Sequence, residues 1–180
     1  MNRLSLLAFT ILIASCNRSL GSNAGMSPPS TTDSKSSPLP LLTECYQADE
    51  WTCAVEAAIV KKTNAKRAAN LLAQSFESSF VSRHWSDQQQ ATESLSHDGF
   101  PAERKATLES HFPQLNFFYT AENVAMTMTN AESADAVAEE IVEMWWKSSG
   151  HRKNMLGPYR YIGAGVARLG RIVYVTQIFH

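Results

Sequence analysis

The sequence predicts an α+β fold, a three-layer α-β-α sandwich around a small central antiparallel sheet, and three observations predict it. Apolar residues recur at helical spacing in several stretches after about residue 41. The chain then closes on two strand-like runs separated by a glycine-containing link. The second run, Ile172–Phe179, is apolar on both alternating faces, and such a strand must be covered on both.

The first two segments stand outside this fold. Met1–Ser15 carries one early cation, Arg3, and the apolar run Leu4–Ala14. A bilayer-crossing helix needs about 20 apolar residues, so this run has instead the proportions of a secretory signal peptide. It ends Leu12-Ile-Ala-Ser-Cys16, which resembles the bacterial lipobox, a lead of apolar and small residues into a cysteine that is lipidated. Cys16 is the expected attachment point, holding the protein to a membrane of the cell envelope. Plain cleavage near Ser22-Asn-Ala24 is the alternative and would give a secreted protein. Residues 16–44 read as the lipidated cysteine and a flexible tether, rich in Ser and Pro and holding four of the seven prolines. That composition cannot bury enough apolar surface to offset the entropy lost on ordering.

The domain itself is expected over residues 45–180. With Cys16 lipidated, Cys45 and Cys53 remain as an even pair in an oxidising compartment, a candidate disulfide. No CxxC spacing or nearby histidine makes them a metal site. A first helix is predicted from Trp51 to about Ala73, with Val55, Ala58, Ile59 and Lys62 on one strip. A second is predicted over Ser79–Thr92, and a short one over Pro101–His111, where proline opens a helix without losing a hydrogen bond. Asn116–Thr120 is a short strand candidate. Ser133 caps the clearest helix, Ala134–Ser148, whose apolar strip includes Val137, Ile141 and Trp145, and Gly150 is its expected stop. Tyr161–Arg168 and Arg171–Phe179 form a hairpin across Leu169-Gly170.

Charge narrows the function. With 16 basic and 17 acidic side chains the chain has a net charge of −1, which argues against nucleic acid as a partner. The strongest chemistry lies in three phrases: Leu95-Ser-His-Asp-Gly-Phe-Pro-Ala-Glu-Arg104, Ala121-Glu-Asn-Val-Ala125 and Trp145-Trp-Lys-Ser-Ser-Gly-His-Arg-Lys-Asn-Met-Leu156. They contribute His97, Glu122 and His151. Two imidazoles and a carboxylate can hold a divalent metal with an open position, or act as general acid and base. They can equally be a hydrogen-bond network without chemistry. Ser96 and Asn123 are expected to support the cleft. His84, His111 and His180 have no evident partner and are expected at the surface.

In this order, SHDGF with its following arginine, AENVA, SSGHRKNML, YIGAGVA and the terminal YVTQIF resemble the CAP family of cysteine-rich secretory, antigen 5 and pathogenesis-related proteins, in its compact bacterial form. The likeness also takes in Thr63-Asn64 and Arg67 on the first helix, and so spans about Cys53–His180. It implies an α-β-α sandwich with a cleft built on His97, Glu122 and His151, which in some relatives holds zinc or magnesium; other relatives bind sterols or fatty acids. Two departures are plain. Ala121 stands where the family phrase has glycine, and Lys147-Ser-Ser149 lacks the second cleft glutamate of eukaryotic members. The expected protein is a monomeric, extracytoplasmic binding module with a lipid or cell-envelope ligand. A metal-dependent hydrolase or peptidase and a lipid or sterol carrier are the alternatives.

Overall fold

The computed structural model describes Cys45 and residues 48–180. The signal segment and the whole tether, Cys16 included, lie outside the described residues. Five helices and four strands follow in the order α1 (Glu50–Lys66), β1 (Ala73–Gln74), α2 (Phe76–Thr92), α3 (Ala102–His111), β2 (Ala121–Met128), α4 (Ala134–Lys147), α5 (Ser149–Met155), β3 (Tyr161–Leu169) and β4 (Ile172–Phe179). The sheet order is β1-β3-β4-β2, with α1, α4 and α5 on one face and α2 and α3 on the other.

The alternation of β4 explains the two layers. Val173, Val175 and Phe179 join Val55 and Ile59 of α1 and Val137, Ile141 and Trp145 of α4 in the larger core. Ile178, one step out of phase, joins Val81 of α2 and Leu108 of α3 in the smaller one. Both faces of β4 are therefore covered, as its double-sided apolar pattern requires. On β3, Ile162, Ala164 and Val166 face the larger core, and Gly163 and Gly165 turn toward α2. A Cβ at Gly165 would lie 1.9 Å from the Arg83 backbone nitrogen, so only glycine lets α2 approach this closely.

Several boundaries differ from expectation, each for a local reason. The sheet is mixed, not wholly antiparallel: β1 pairs parallel to β3 through Ala73↔Tyr161 and Gln74↔Ile162. Two exposed residues are too few to leave an alternation signal. α1 stops at Lys66 because Asn64 bonds both backbone groups of Leu72, each at 2.9 Å, and folds the chain back. α2 starts earlier, with the Ser75 hydroxyl accepting from the Ser78 amide. Asn116–Thr120 is not a strand; pairing begins at Ala121, and β2 is hidden from a hydropathy reading by its buried Glu122 and Asn123. Gly150 does not stop a helix but lies inside α5, after Ser148 breaks the chain away from α4. The hairpin register pairs Leu169 with Ile172, so its turn is Gly170-Arg171, one residue later than expected.

His180 is also not a free surface side chain. Its ring stacks on Phe117 at 4.1 Å between centroids and on Tyr161 at 5.0 Å, and Nε2 lies 2.9 Å from the Ser78 hydroxyl. Burial pushes its pKa down to about 4. The cysteine pair is as expected: the Cys45 and Cys53 sulfurs lie at disulfide distance.

Candidate functional site

The candidate site straddles the N-terminal half of β2, an edge strand of the sheet. Alternate residues of a strand point to opposite faces, so Glu122 and Asn123 recruit different layers. Glu122 pairs across from Ile178 and points to the α3 side; Asn123 pairs across from Gln177 and points to the α5 side.

On the first side, Glu122 is buried and receives three hydrogen bonds. Arg104 Nε donates to Oε2 at 2.7 Å and Nη2 donates to Oε1 at 3.1 Å. His97 Nδ1 lies 2.9 Å from Oε1. An ionised carboxylate only accepts, so Nδ1 carries the hydrogen, and Nε2 of a neutral ring is left as the lone pair. The His97 side chain is 52% exposed, whereas those of Glu122 and Arg104 are 1% and 2% exposed.

The loop that carries His97 is fixed from several directions. Arg104 Nη1 donates to the Asp98 carbonyl at 3.0 Å, and its guanidinium lies over the Trp85 ring, 3.3 Å from the centroid. Trp85 Nε1 in turn donates to the Ser96 carbonyl at 3.1 Å. The Ser96 amide donates to Gln89 Oε1 at 3.2 Å, and its hydroxyl accepts from the Asp98 amide at 3.3 Å. A tight turn returns the Phe100 amide to the His97 carbonyl, with Gly99 at φ +69° supplying the left-handed residue.

On the second side, Asn123 Nδ2 donates to the His151 carbonyl at 3.2 Å and to Gln177 Oε1 at 3.1 Å. Gln177 Nε2 donates onward to Thr63 Oγ1 of α1 at 2.8 Å. Asn154 Nδ2 donates to the Glu122 carbonyl at 3.0 Å and to Asn123 Oδ1 at 2.9 Å. These bonds clamp α5, and with it His151, against the strand edge. Burial, and then the neighbouring His97, pull the His151 pKa below its ordinary value, which favours its neutral imidazole.

The structure thus joins His97 directly to Glu122 and seats His151 beside the same strand through its backbone. Ser96 supports the His97 loop, and Asn123 acts through its side chain from within a strand, not in a turn. Arg104 is the functional residue that sequence reasoning passed over; it stood at the end of a quoted phrase without a role. Among the described residues, no three His, Cys, Asp or Glu side chains are grouped to hold a metal ion. Both Glu122 oxygens already accept from a guanidinium, whose charge also repels a cation.

A family model, CAP, described as the cysteine-rich secretory protein family, matches residues 51–179. No curated protein matches the sequence significantly. Among solved structures, an extracellular protein containing an SCP domain from Bacillus anthracis str. Ames is 22% identical at a TM-score of 0.48, over 69% of this chain and 39% of that one. The chain thus spans well under half of the Bacillus protein's length. An outer surface protein from Borrelia burgdorferi is 12% identical at a TM-score of 0.52, over 68% of this chain and 89% of that one. NaASP2 with Zn2+ is 12% identical at a TM-score of 0.48, over 76% of this chain and 83% of that one. The Borrelia likeness shows a shared fold.

Proposed function

This chain belongs to the cysteine-rich secretory protein (CAP) family, and from that premise we propose that it is an extracytoplasmic binding module, not an enzyme. The observation that carries this reading is the state of Glu122. Its two oxygens are taken by Arg104 and His97, so it is neither a free general base nor a free metal ligand. What it does is hold His97 in one orientation, with Nε2 turned away from it.

A hydrolase needs an activated nucleophile or a metal-activated water. The Ser96 hydroxyl accepts from the Asp98 amide, and among the described residues no hydrogen bond links it to an imidazole that could deprotonate it. The groups left for recognition are the His97 and His151 imidazoles at the strand edge. Both suit a ligand that accepts or donates single hydrogen bonds.

The donor set also discriminates between the two expected metals. Magnesium demands oxygen ligands, and the one carboxylate here is matched to a guanidinium. Imidazole nitrogen suits zinc, which His97 and His151 would hold with Glu122 behind His97 as an outer-shell carboxylate. Bound there, zinc would supply open positions for a ligand. Two protein ligands make a weaker site than the three expected from sequence.

Secretion is supported by the signal-like start and by a cysteine pair at disulfide distance. Lipid on Cys16 would hold the domain at a membrane, with the Ser/Pro-rich segment as its spacer. Among the described residues, no helix is long and apolar enough to cross a membrane.

Calorimetric titration of zinc into the purified protein tests the site. We expect one weak site, abolished by His97→Ala and by His151→Ala, and no heat with magnesium. Zinc bound equally by both variants would overturn the assignment of the cleft. Turnover of peptide or ester substrates that disappears in His97→Ala would overturn the binding-module reading.

A further inference from the structure

A second site is indicated on the far edge of the sheet by a buried cation. Arg67, at the C-terminal end of α1, is only 5% exposed. Its Nε donates to the Asn70 carbonyl at 2.9 Å, and its Nη1 to the carbonyls of Met155 at 2.5 Å and Gly157 at 3.0 Å. All three acceptors are therefore neutral backbone groups. Among the described residues, no carboxylate lies within ion-pair distance of Arg67, in contrast to the buried Arg83 and Arg104, which pair with Glu56 and Glu122.

Burial pulls Arg67 below its ordinary value, yet a guanidinium stays charged in proteins. The carbonyl end of α1 offsets only a fraction of that charge, about half an elementary unit at most. Burying a charge without a counter-ion is costly, so its persistence calls for an anion from elsewhere.

The surroundings give that anion a place. Arg67 lines an open groove of about 720 Å³ between the residues after α1 and the loop before β3. Arg160 lines the same groove, is exposed, and has no ion-pair partner among the described residues. Among the described residues, no acidic side chain contributes to the wall. Apolar surface faces the same space: Leu71, Leu156 and Tyr161 are 68%, 49% and 43% exposed. Tyr161 is held in place from behind by its stack on His180.

We infer that this groove binds a phosphate monoester with a small apolar or aromatic body, the phosphate on Arg67 and Arg160 and the body against Leu71, Leu156 and Tyr161. Two cations without a carboxylate match a group carrying nearly two negative charges at pH 7, as a phosphate monoester does. A carboxylate would neutralise only one. The planar fork of arginine is matched to phosphate oxygens, whereas the two guanidinium charges repel a cationic ligand. This site is independent of the His97–His151 cleft and stands or falls without it.

Phenyl phosphate is the probe, titrated into the purified full chain by calorimetry with thermal unfolding in parallel. We expect saturable binding and a raised Tm, with inorganic phosphate weaker for want of the ring and phenylacetate weaker for want of the second charge. Arg160→Glu lies on the surface, so its unliganded Tm should be unchanged while affinity falls at least about tenfold, the scale of one charge-assisted pair. Arg67→Lys, which keeps the charge but loses the fork, should bind weakly even where it folds normally. Sedimentation of the Cys16→Ser chain with phosphatidic acid vesicles, whose headgroup is a phosphate monoester, against phosphatidylcholine, separates the sources: Arg160-dependent sedimentation identifies a lipid phosphate, and its absence with phenyl phosphate bound identifies a soluble one. No saturable binding of phenyl phosphate or vesicles by the parent, or equal binding by Arg160→Glu, would refute the site.

Discussion

Replacing Arg104 by methionine is the sharpest perturbation of the candidate cleft. The substitution keeps most of the side chain's bulk over Trp85 and removes the guanidinium. It leaves the Glu122 carboxylate, whose side chain is 1% exposed, with His97 as its remaining side-chain donor among the described residues. Breaking a buried ion pair from one side costs about 3–5 kcal/mol, because the surviving charge is stranded in a poorly solvated site. The lost bond to the Asp98 carbonyl and the lost cation–π contact with Trp85 act in the same direction. They share the same group, so their energies do not simply add. A domain of this size has a total stability of about 5–15 kcal/mol, so the variant should sit near the edge of folding. The assay is urea unfolding at pH 7 of the parent, Arg104→Met, Glu122→Gln and the double variant. The double variant strands no charge and should recover a large part of the loss, giving a coupling energy of several kcal/mol. Arg104→Lys, which keeps the charge without the two-pronged contact, should fall between. A cost below about 1 kcal/mol for Arg104→Met, or single effects that add, would refute the view that Arg104 is what keeps Glu122 buried.

Two other outcomes can be measured independently of the cleft. His180 has a folded-state pKa of about 4 against an ordinary 6.5, so the unfolded chain takes up this proton first as pH falls, and stability is lost between about pH 6.5 and pH 4. Full burial would make this about 3 kcal/mol, and partial exposure reduces it to roughly half; urea midpoints at pH 7.5 and pH 4.5 should differ less in His180→Gln than in the parent, and an equal pH dependence would contradict the assignment. Cys16→Ser should move the protein from the membrane to the soluble fraction after cell lysis, and unchanged membrane association would remove the lipid anchor.

What could be read in the sequence, and what could not, divides along a physical line. Helices and strands whose apolar residues recur at one period were legible: α4 begins within the predicted span at Ala134, and the hairpin of β3 and β4 is off by a single residue. β2 was not, because four of its five buried positions, Ala121, Glu122, Asn123 and Ala125, carry either polar or minimal side chains. β1 is too short to show any period, and α5 contains, as its second residue, a glycine that ordinarily ends a helix. Partnerships between distant elements leave no periodic trace at all, which is why Glu122 was legible and its guanidinium partner was not.

The same distinction changes what the recognisable phrases mean. The first supplies Arg104, which holds Glu122 of the second. The second supplies Asn123, which is bonded by Asn154 of the third and donates to Gln177 of the last. The glycines of the YIGAGVA phrase let α2 close on the sheet. Each phrase thus completes a bond or a close approach begun in another, and four of the five meet around one edge strand. That strand offers no apolar grip at Glu122 and Asn123, so directional polar bonds must fix both covering layers to it. A likeness carried by those phrases is therefore a likeness of architecture before it is one of chemistry. It identifies how the cleft is held, while the exposed His97 imidazole, the part that meets a ligand, is the part least constrained by the rest of the fold.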